Sequence, residues 1–169
     1  MITTSIILIT IAAVLLIAYT VALCVNNGIP RSLSASVFFL PRNGAWLWTA
    51  VIAAVALALA PVLIGTAHRA QFLAFLACAG LLFVAGCPLV KDKGDMAYRV
   101  HLVAAIVCAV CAMGLVACNR PLLLLLWLPW LGVFIWKTKG VSTWPTQTFW
   151  AEMTCVLITF IYAYLMVLG

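Results

Sequence analysis

The chain of 169 residues is dominated by apolar side chains: 68% of its residues are hydrophobic, only 7% are charged, and the mean hydropathy is +1.29. Water-soluble domains carry about a quarter charged residues to solvate their surface, so this composition excludes a soluble globular protein. Nine basic and three acidic residues give a formal net charge of +6 at pH 7. Because the polar connections are too short to fold alone, we predict a single transmembrane domain over residues 1–169.

Six apolar runs follow one another along the chain. A helix needs about 20 apolar residues to cross a hydrocarbon core about 30 Å thick. The predicted spans are residues 5–25, 46–66, 70–90, 100–118, 121–136 and 149–168. The fifth run is short and contains Pro129, so a re-entrant segment stays open as the alternative to a full crossing. The sequence therefore predicts an all-α, polytopic bundle of six transmembrane helices.

The distribution of basic residues predicts the orientation of this bundle. Only Arg69 and Arg120 lie in the second and fourth connections. The other seven basic residues lie in the first, third and fifth connections: Arg31, Arg42, Lys91, Lys93, Arg99, Lys137 and Lys139. Since cytoplasmic connections are enriched in Lys and Arg, these three connections are predicted to be cytosolic and both termini to lie outside.

The first connection, NNGIPRSLSASVFFLPRNG, is too apolar in its middle to be a free linker. Pro30 can begin a helix, because the N–H that proline lacks would be unpaired there anyway. At α-helical spacing Leu33 and Val37 share one face and Ser36 lies on another, which predicts a half-helix in the membrane interface. Its free N–H groups, with Arg31 and the serines, would form a cradle for an anion. A structural loop packed on the bundle is the alternative.

The third connection is the most charged stretch, since residues 91–99 hold five of the twelve charged side chains. Gly94 permits a tight turn, so its neighbours are interpreted as a solvated tip. Lys91 and Asp92 lie at the predicted membrane boundary. His101 follows in the first turn of the fourth span, where a histidine can titrate, act as a base or cap polar groups.

Glu152 lies about one helical turn inside the sixth predicted span. A charge at this depth is costly, so it marks a candidate functional site and requires a partner. The helix N-terminus lowers the cost, because its dipole and free N–H groups favour an anion. The candidate partners on the same membrane face are His101, Arg99, Lys91 and Lys137.

Small residues predict that the third and fourth spans pack closely, because membrane helices associate through such contacts. Ala74, Ala77, Cys78 and Gly80 are expected to face a stripe formed by Ala104, Ala105, Cys108, Cys111, Ala112 and Cys118. Cys108 and Cys111 form a C-x-x-C, a redox motif in soluble proteins. Inside a membrane helix packing is the favoured interpretation, because thiolates are disfavoured in hydrocarbon. With His68 and His101 on opposite sides, the sequence predicts no metal site, and it indicates no cofactor.

Motifs in the order IPRSLS, FLACAG, PLVKD, VHLVAA and FWAE run along the chain. This order resembles a group of small six-span bacterial integral membrane proteins of uncharacterised activity, and the likeness covers most of the chain. Related sequences have aromatic hydroxyls after the serine motif, where this chain has Phe38 and Phe39. The resemblance implies a bacterial cytoplasmic membrane and no particular reaction. It draws attention to Ser32, Ser34, Lys91, Asp92, His101 and Glu152.

The predicted function is the binding of an anionic lipid headgroup or a phosphorylated small molecule at the cytosolic face. The candidate ligand-binding residues are Arg31, Ser32, Ser34, Lys91, Asp92, His101 and Glu152. The expected partners are membrane lipids and an anionic small molecule, and a homo-oligomer stays open. Nucleic acid is not expected, because topology explains the positive charge.

Two alternatives belong to other functional classes. In a proton-responsive transporter or channel, Glu152 and His101 would form the responsive pair, and broken helices at Pro61 and Pro129 would favour this function. In an intramembrane hydrolase, Ser32 or Ser34 would be the nucleophile, His101 the base and Asp92 the orienting acid. No G-x-S-x-G elbow occurs in the sequence, and its spacing does not require a catalytic triad.

Overall fold

In a computed structural model, which describes residues 2–88, 94–139 and 144–169, the protein is all helical and has no strand within those ranges. The described residues form α1 (Ile2–Asn27), α2 (Ala45–Thr66), α3 (Gln71–Gly86), α4 (Met96–Asn119), α5 (Trp127–Lys139) and α6 (Gln147–Leu168). Shorter 3₁₀ helices cover Ser34–Phe39, Arg42–Gly44 and Pro121–Leu126. The predicted all-α class is confirmed.

Four helices, α1, α2, α4 and α6, are long and apolar enough to cross a membrane. They contain 22 to 26 residues, and at 1.5 Å per residue they extend roughly 33 to 39 Å. Large apolar side chains on their outer surfaces are exposed, among them Val14, Val103 and Leu157. Such surfaces suit contact with lipid tails, and these features indicate a membrane protein.

Two shorter apolar helical segments complete the bundle. The helix α3 has 16 residues, or roughly 24 Å at the α-helical rise. The segment after α4 begins as the 3₁₀ helix Pro121–Leu126 and continues as α5. Because a 3₁₀ helix rises about 2.0 Å per residue, the combined segment extends roughly 31 Å. Pro129 lies in the first turn of α5, where N–H groups lack helical partners anyway, so it does not interrupt the helix.

The helix α3 packs along both α2 and α4, and α6 packs against α1, α2 and α4. The closest approach is at Gly80, where an added Cβ would lie 3.0 Å from the Ala104 carbonyl oxygen and 3.1 Å from the Cys108 Cβ. Ala77, Cys111 and Ala112 form a buried cluster at the same interface. The predicted small-residue packing of these two helices is therefore confirmed.

The cysteines of the chain are all free. Cys111 is buried, whereas Cys118, which the sequence placed in the packing stripe, is exposed at the end of α4. Including Cys118 in the stripe was wrong, because this residue is exposed one position before α4 ends at Asn119. Cys108 and Cys111 form no disulfide, in keeping with their interpretation as packing residues.

Hydrogen bonds between helices show which residues lie at the same end of the bundle. The Thr49 hydroxyl, near the start of α2, donates to the Ala85 carbonyl near the end of α3, at 2.9 Å. At the other end, the Arg69 N–H donates to the Asn119 side-chain oxygen, at 3.1 Å. The Trp130 Nε1 of α5 donates to the Gln147 carbonyl at the start of α6, at 3.4 Å. We call the described residues of 28–48, 85–101 and 130–150 the basic end. The opposite end consists of residues 66–71, 118–121 and 169.

The first connection forms a 3₁₀ helix, Ser34–Phe39, where the sequence predicted a half-helix of α-helical spacing. Leu33 and Val37 are buried as expected, but Ser36 is also buried, at 2% exposure. A 3₁₀ helix has three residues per turn, so Leu33 and Ser36 share a face. Assigning Ser36 to a different face from Leu33 was therefore wrong.

Candidate functional site

Glu152, which lies in α6 close to its N-terminus, binds the backbone of the first connection. Its carboxylate accepts hydrogen bonds from the backbone N–H groups of Leu33 and Ser34. These N–H groups lie at the start of the 3₁₀ helix Ser34–Phe39, where a helix has no internal partners for its donors. Hydrogen bonds to an ionised carboxylate are stronger than neutral ones. Glu152 therefore caps a helix that is distant in sequence.

The first connection makes a reciprocal contact with α6. The Phe149 N–H, in the first turn of α6, donates to the Arg31 carbonyl at 3.1 Å. This N–H is one of the donors that an α-helix leaves unpaired at its N-terminus. Each element thus satisfies backbone groups of the other. We call the contacts between residues 31–34 and residues 149–152 the Glu152 clamp.

Serine side chains stabilise the clamp within the connection and against α1. The Ser32 hydroxyl accepts the Ala35 N–H at 3.0 Å, a local cap of the 3₁₀ helix. The Ser36 hydroxyl shares a hydrogen bond of 3.0 Å with the Tyr19 hydroxyl of α1. The ring of Tyr19 packs on Trp48 of α2, with centroids 5.9 Å apart. The connection is thereby fixed to three helices.

The clamp changes the interpretation of the predicted anion cradle. The N–H groups of Leu33 and Ser34, which the sequence offered to an external anion, bind the protein's own carboxylate. Neither Arg99 nor Lys137 forms an ion pair with Glu152 in the described part of the chain, and Lys91 lies outside it. Backbone donors therefore provide the partner for which the sequence predicted a basic side chain.

His101 has a separate structural role at the junction of α3 and α4. It is 3% exposed, and its Nδ1 lies 2.7 Å from the Cys87 carbonyl oxygen. Because a carbonyl only accepts, Nδ1 carries the proton. The Val84 carbonyl shares this donor, so the imidazole caps the C-terminal end of α3. No hydrogen bond joins His101 to Glu152 or to either serine among the described residues.

The five predicted site residues that the structure describes lie in two places, since His101 is apart from the Glu152 clamp. The clamp contains Arg31, Ser32, Ser34 and Glu152, with the Arg31 side chain exposed and Ser34 buried. Lys91 and Asp92 lie outside the described residues.

A groove on the outer surface between α3 and α4 has a volume of about 420 Å³. The buried residues Gly80 and Ala104 form its floor, and Phe83 and Val103, exposed by 61% and 60%, form its walls. Arg99 lies at the end of the groove that belongs to the basic end. We call this feature the α3–α4 groove. Its surface is almost wholly apolar, and the exposed residue Arg99 lies at one end of it.

The spacing of the lining residues along α3 and α4 explains how the groove forms. On α4, Arg99, Val103 and Val107 recur at a spacing of four, which puts them on one helical face. On α3, Gly80 lies three residues before Phe83, so a small and a large residue are neighbours on the helix surface. Small residues next to large ones on facing helices produce a concave surface.

An internal cavity of about 100 Å³ lies between α1, α2, α3, α4 and α6. Its lining is almost wholly apolar and includes the thiols of Cys78, Cys108 and Cys155. Apolar cavities of this size stay dry, since water needs polar partners. Within the described residues no group of His, Cys, Asp or Glu is arranged to hold a metal ion.

Comparison of the chain with protein-family models, with curated proteins and with solved structures gave no match. The function is therefore argued from the chemistry of the α3–α4 groove and the Glu152 clamp.

Proposed function

We propose that this chain is a six-span integral membrane protein of the bacterial cytoplasmic membrane and that it binds an anionic phospholipid in the α3–α4 groove. One acyl chain occupies the apolar groove, and the phosphate of the headgroup contacts Arg99. The observation that carries this proposal is a lipid-facing groove of about 420 Å³ with an exposed arginine at its end.

The shape and lining of the groove match the two parts of a phospholipid. Val103 and Val107 on α4 and Leu76 and Phe83 on α3 offer an apolar channel along the helix axes, which suits a hydrocarbon chain lying parallel to them. Arg99 offers a planar guanidinium that can bind phosphate oxygens bidentately. A phosphorylated small molecule without an acyl chain would leave the apolar walls unused, so we favour a lipid.

The charge at the basic end supports the same ligand. Arg31 and Lys137 are exposed there, together with Arg99. Each Lys or Arg close to an anionic leaflet contributes about 1 kcal/mol to attraction. Exposed aromatic side chains at this end, including Phe38, Trp46, Trp136 and Trp150, suit the headgroup region of a bilayer.

The six-span arrangement is supported by the alternation of the two ends along the chain. The described residues of 28–44, 87–95 and 144–146 belong to the basic end, whereas residues 67–70 and 120 belong to the opposite end. A fifth and a sixth crossing are supported by the position of α3 between these two sets of residues and by the hydrogen bond of 3.4 Å from the Trp130 Nε1 to the Gln147 carbonyl at the start of α6. In this arrangement the 3₁₀ helix Ser34–Phe39 lies in the cytosolic membrane interface.

The two alternative functions have less support from the described residues. The helix α2 stays helical through Pro61, and Pro129 lies in the first turn of α5, so neither residue divides a helix into the half-helices typical of transporters. The Ser32 hydroxyl bonds Ala35, and His101 bonds backbone carbonyls, which leaves the proposed nucleophile and base in separate structural roles.

Native mass spectrometry of protein purified from membranes that contain phosphatidylglycerol tests the proposal. Arg99→Gln removes the phosphate contact, and Val103→Trp fills the groove from an exposed position. Since a hydrogen bond to a charged group contributes about 1.5–3 kcal/mol, we expect Arg99→Gln to lower phosphatidylglycerol retention at least about ten-fold. Val103→Trp should lower it as well.

Lys137→Gln is the matched control, because it removes the same charge from an exposed residue of the basic end outside the groove. It should lower phosphatidylglycerol retention less than Arg99→Gln does, because it removes about 1 kcal/mol of general attraction to the anionic lipid and no contact in the groove. Equal retention of phosphatidylglycerol by the wild type and all three variants would contradict the lipid-binding proposal.

A further inference from the structure

A second cleft, of about 340 Å³, lies at the opposite end of the bundle. Its charged side chains come from two elements: His68 and Arg69 from the turn between α2 and α3, and Arg120 from the junction that follows α4. Cys118, Asn119 and Met166 complete the lining. All three charged or titratable side chains are exposed. The cleft thus has three such side chains, whereas Arg99 is the charged residue among the described lining of the α3–α4 groove.

Asn119 fixes the two halves of the cleft to each other. Its side-chain oxygen accepts the Arg69 N–H at 3.1 Å, and its side-chain nitrogen donates to the Arg69 carbonyl at 3.0 Å. The same nitrogen donates to the Leu115 carbonyl within α4, at 2.9 Å. An amide side chain that hydrogen-bonds both the N–H and the carbonyl of one residue fixes the position of that residue's backbone. The backbone positions of Arg69 and Arg120 are therefore set relative to each other before any ligand arrives.

No acidic side chain of the chain is available at this end to neutralise the cleft. The sequence contains only Asp92, Asp95 and Glu152 as acids. Asp95 caps α4 and Glu152 forms the clamp, both at the basic end, and Asp92 belongs by sequence to the connection just before Asp95. Arg120 has Gly169 as a neighbour, where an added Cβ would lie 3.7 Å from the Arg120 Nη2. The two guanidinium groups have no ion-pair partner among the described residues.

We propose that this cleft binds an anion that carries a phosphate or carboxylate group, held between Arg69 and Arg120 with His68 at its edge. Guanidinium groups match the geometry of these oxyanions and bind them through paired N–H donors. Positive residues on the outer side run against the general distribution of charge in this chain, and a bound anion gives them a role. The anion comes either from a lipid headgroup of the outer leaflet or from solution.

Thermal unfolding of the full chain in lipid nanodiscs tests this proposal, because a ligand that binds the folded state raises Tm. Every protein compared carries Arg99→Gln, so lipid binding in the α3–α4 groove is weakened equally in all of them and cannot cause a difference between the variants. In one arm, phosphatidylcholine nanodiscs are titrated with inorganic phosphate. In the other, phosphatidylglycerol replaces part of the phosphatidylcholine. The variants are Arg69→Gln/Arg120→Gln and, as a charge-conserving control, Arg69→Lys/Arg120→Lys.

A rise in Tm with inorganic phosphate that the double Gln variant loses supports a soluble anion. A rise only with phosphatidylglycerol, again lost in the double Gln variant, supports a lipid headgroup. In either case the apparent affinity should fall at least about ten-fold in the double Gln variant. The double Lys variant should retain part of the response, since it keeps the charge and loses the bidentate geometry.

Equal responses of the parent and the double Gln variant in both arms would overturn the proposal. Both arginines are exposed, so loss of folding is not expected to obscure the comparison, and the double Lys variant reports on folding independently. Because Arg99→Gln is common to every protein compared, a negative result here leaves the proposed function of the groove intact.

Discussion

At the scale of single residues, Glu152 is an acid within a predicted span whose charge is stabilised by backbone donors. Burying a carboxylate costs several kcal/mol unless it is paired and hydrogen-bonded. The N–H groups of Leu33 and Ser34 supply those hydrogen bonds. Without the carboxylate, these two N–H groups would lack an acceptor. The acid and the connection are thus stabilised together, so removal of either partner leaves the other unsatisfied.

Glu152→Ala should release the first connection from α6. It leaves two N–H groups without partners, and each unsatisfied buried group costs about 1–3 kcal/mol, so we expect a clear fall in Tm. Glu152→Gln keeps one acceptor oxygen and should cost roughly half as much. Hydrogen exchange of the Leu33 and Ser34 amides, measured by mass spectrometry, should become faster in Glu152→Ala.

Asp95→Ala is the matched acid control for this experiment. Asp95 is exposed and accepts the Ala97 N–H at 2.8 Å as the cap of α4. Its loss should cost about 1 kcal/mol and leave the Leu33 and Ser34 amides unchanged. If these amides exchange at the wild-type rate in Glu152→Ala, the clamp does not hold the connection in solution.

The sequence identified Glu152 because a charge inside an apolar run is costly, but it did not identify its partners. The donors are backbone groups, which every non-proline residue carries, and Leu33 lies 119 residues away. Side-chain chemistry therefore carried no signal for this contact. The same holds for His101, whose partners are the carbonyls of Val84 and Cys87.

At the scale of helices, composition and length predicted the long elements well. The predicted span 46–66 differs by one residue from α2, Ala45–Thr66. The fifth run was harder to interpret, because it starts as a 3₁₀ helix. Its length is underestimated when every residue is given the shorter rise of an α-helix. The first connection was predicted with α-helical spacing and adopted the tighter 3₁₀ form, which the serines and Glu152 stabilise.

The contact between α3 and α4 should depend on the absence of a side chain at Gly80. In Gly80→Ala the new methyl group would lie 3.0 Å from the backbone of α4. Overpacking of this kind lowers the stability of the folded state by about 1–3 kcal/mol. Gly86→Ala is the matched control, because it lies in the same helix and its Cβ meets nothing within 4 Å. Thermal unfolding in detergent should show a lower Tm for Gly80→Ala alone.

A Tm for Gly80→Ala equal to that of Gly86→Ala would contradict the close approach of the two helices. The result also bears on the α3–α4 groove, since Gly80 lies in its floor. A shift of α4 away from α3 would change the depth of the groove without touching Arg99.

At the scale of the whole molecule, the bundle separates its polar chemistry into two ends. The basic end combines the Glu152 clamp with Arg99 at the mouth of the groove, and the opposite end holds Arg69 and Arg120. Hydropathy predicted the helical class and charge predicted this separation. The resemblance to small six-span bacterial membrane proteins stays a prediction. Concave surfaces were beyond sequence reasoning, because they depend on how two helices cross.

Binding of an anionic lipid at the cytosolic leaflet requires the basic end to face the cytosol. This orientation is the central claim, and topology mapping tests it directly. Reporter domains active on only one side of the bacterial membrane are fused at each terminus and inserted in each connection. We expect the termini, residues 67–70 and residue 120 outside, and residues 28–44, 89–94 and 140–146 inside. Cytosolic termini, or one location for residues 28–44 and 67–70, would contradict the proposed arrangement.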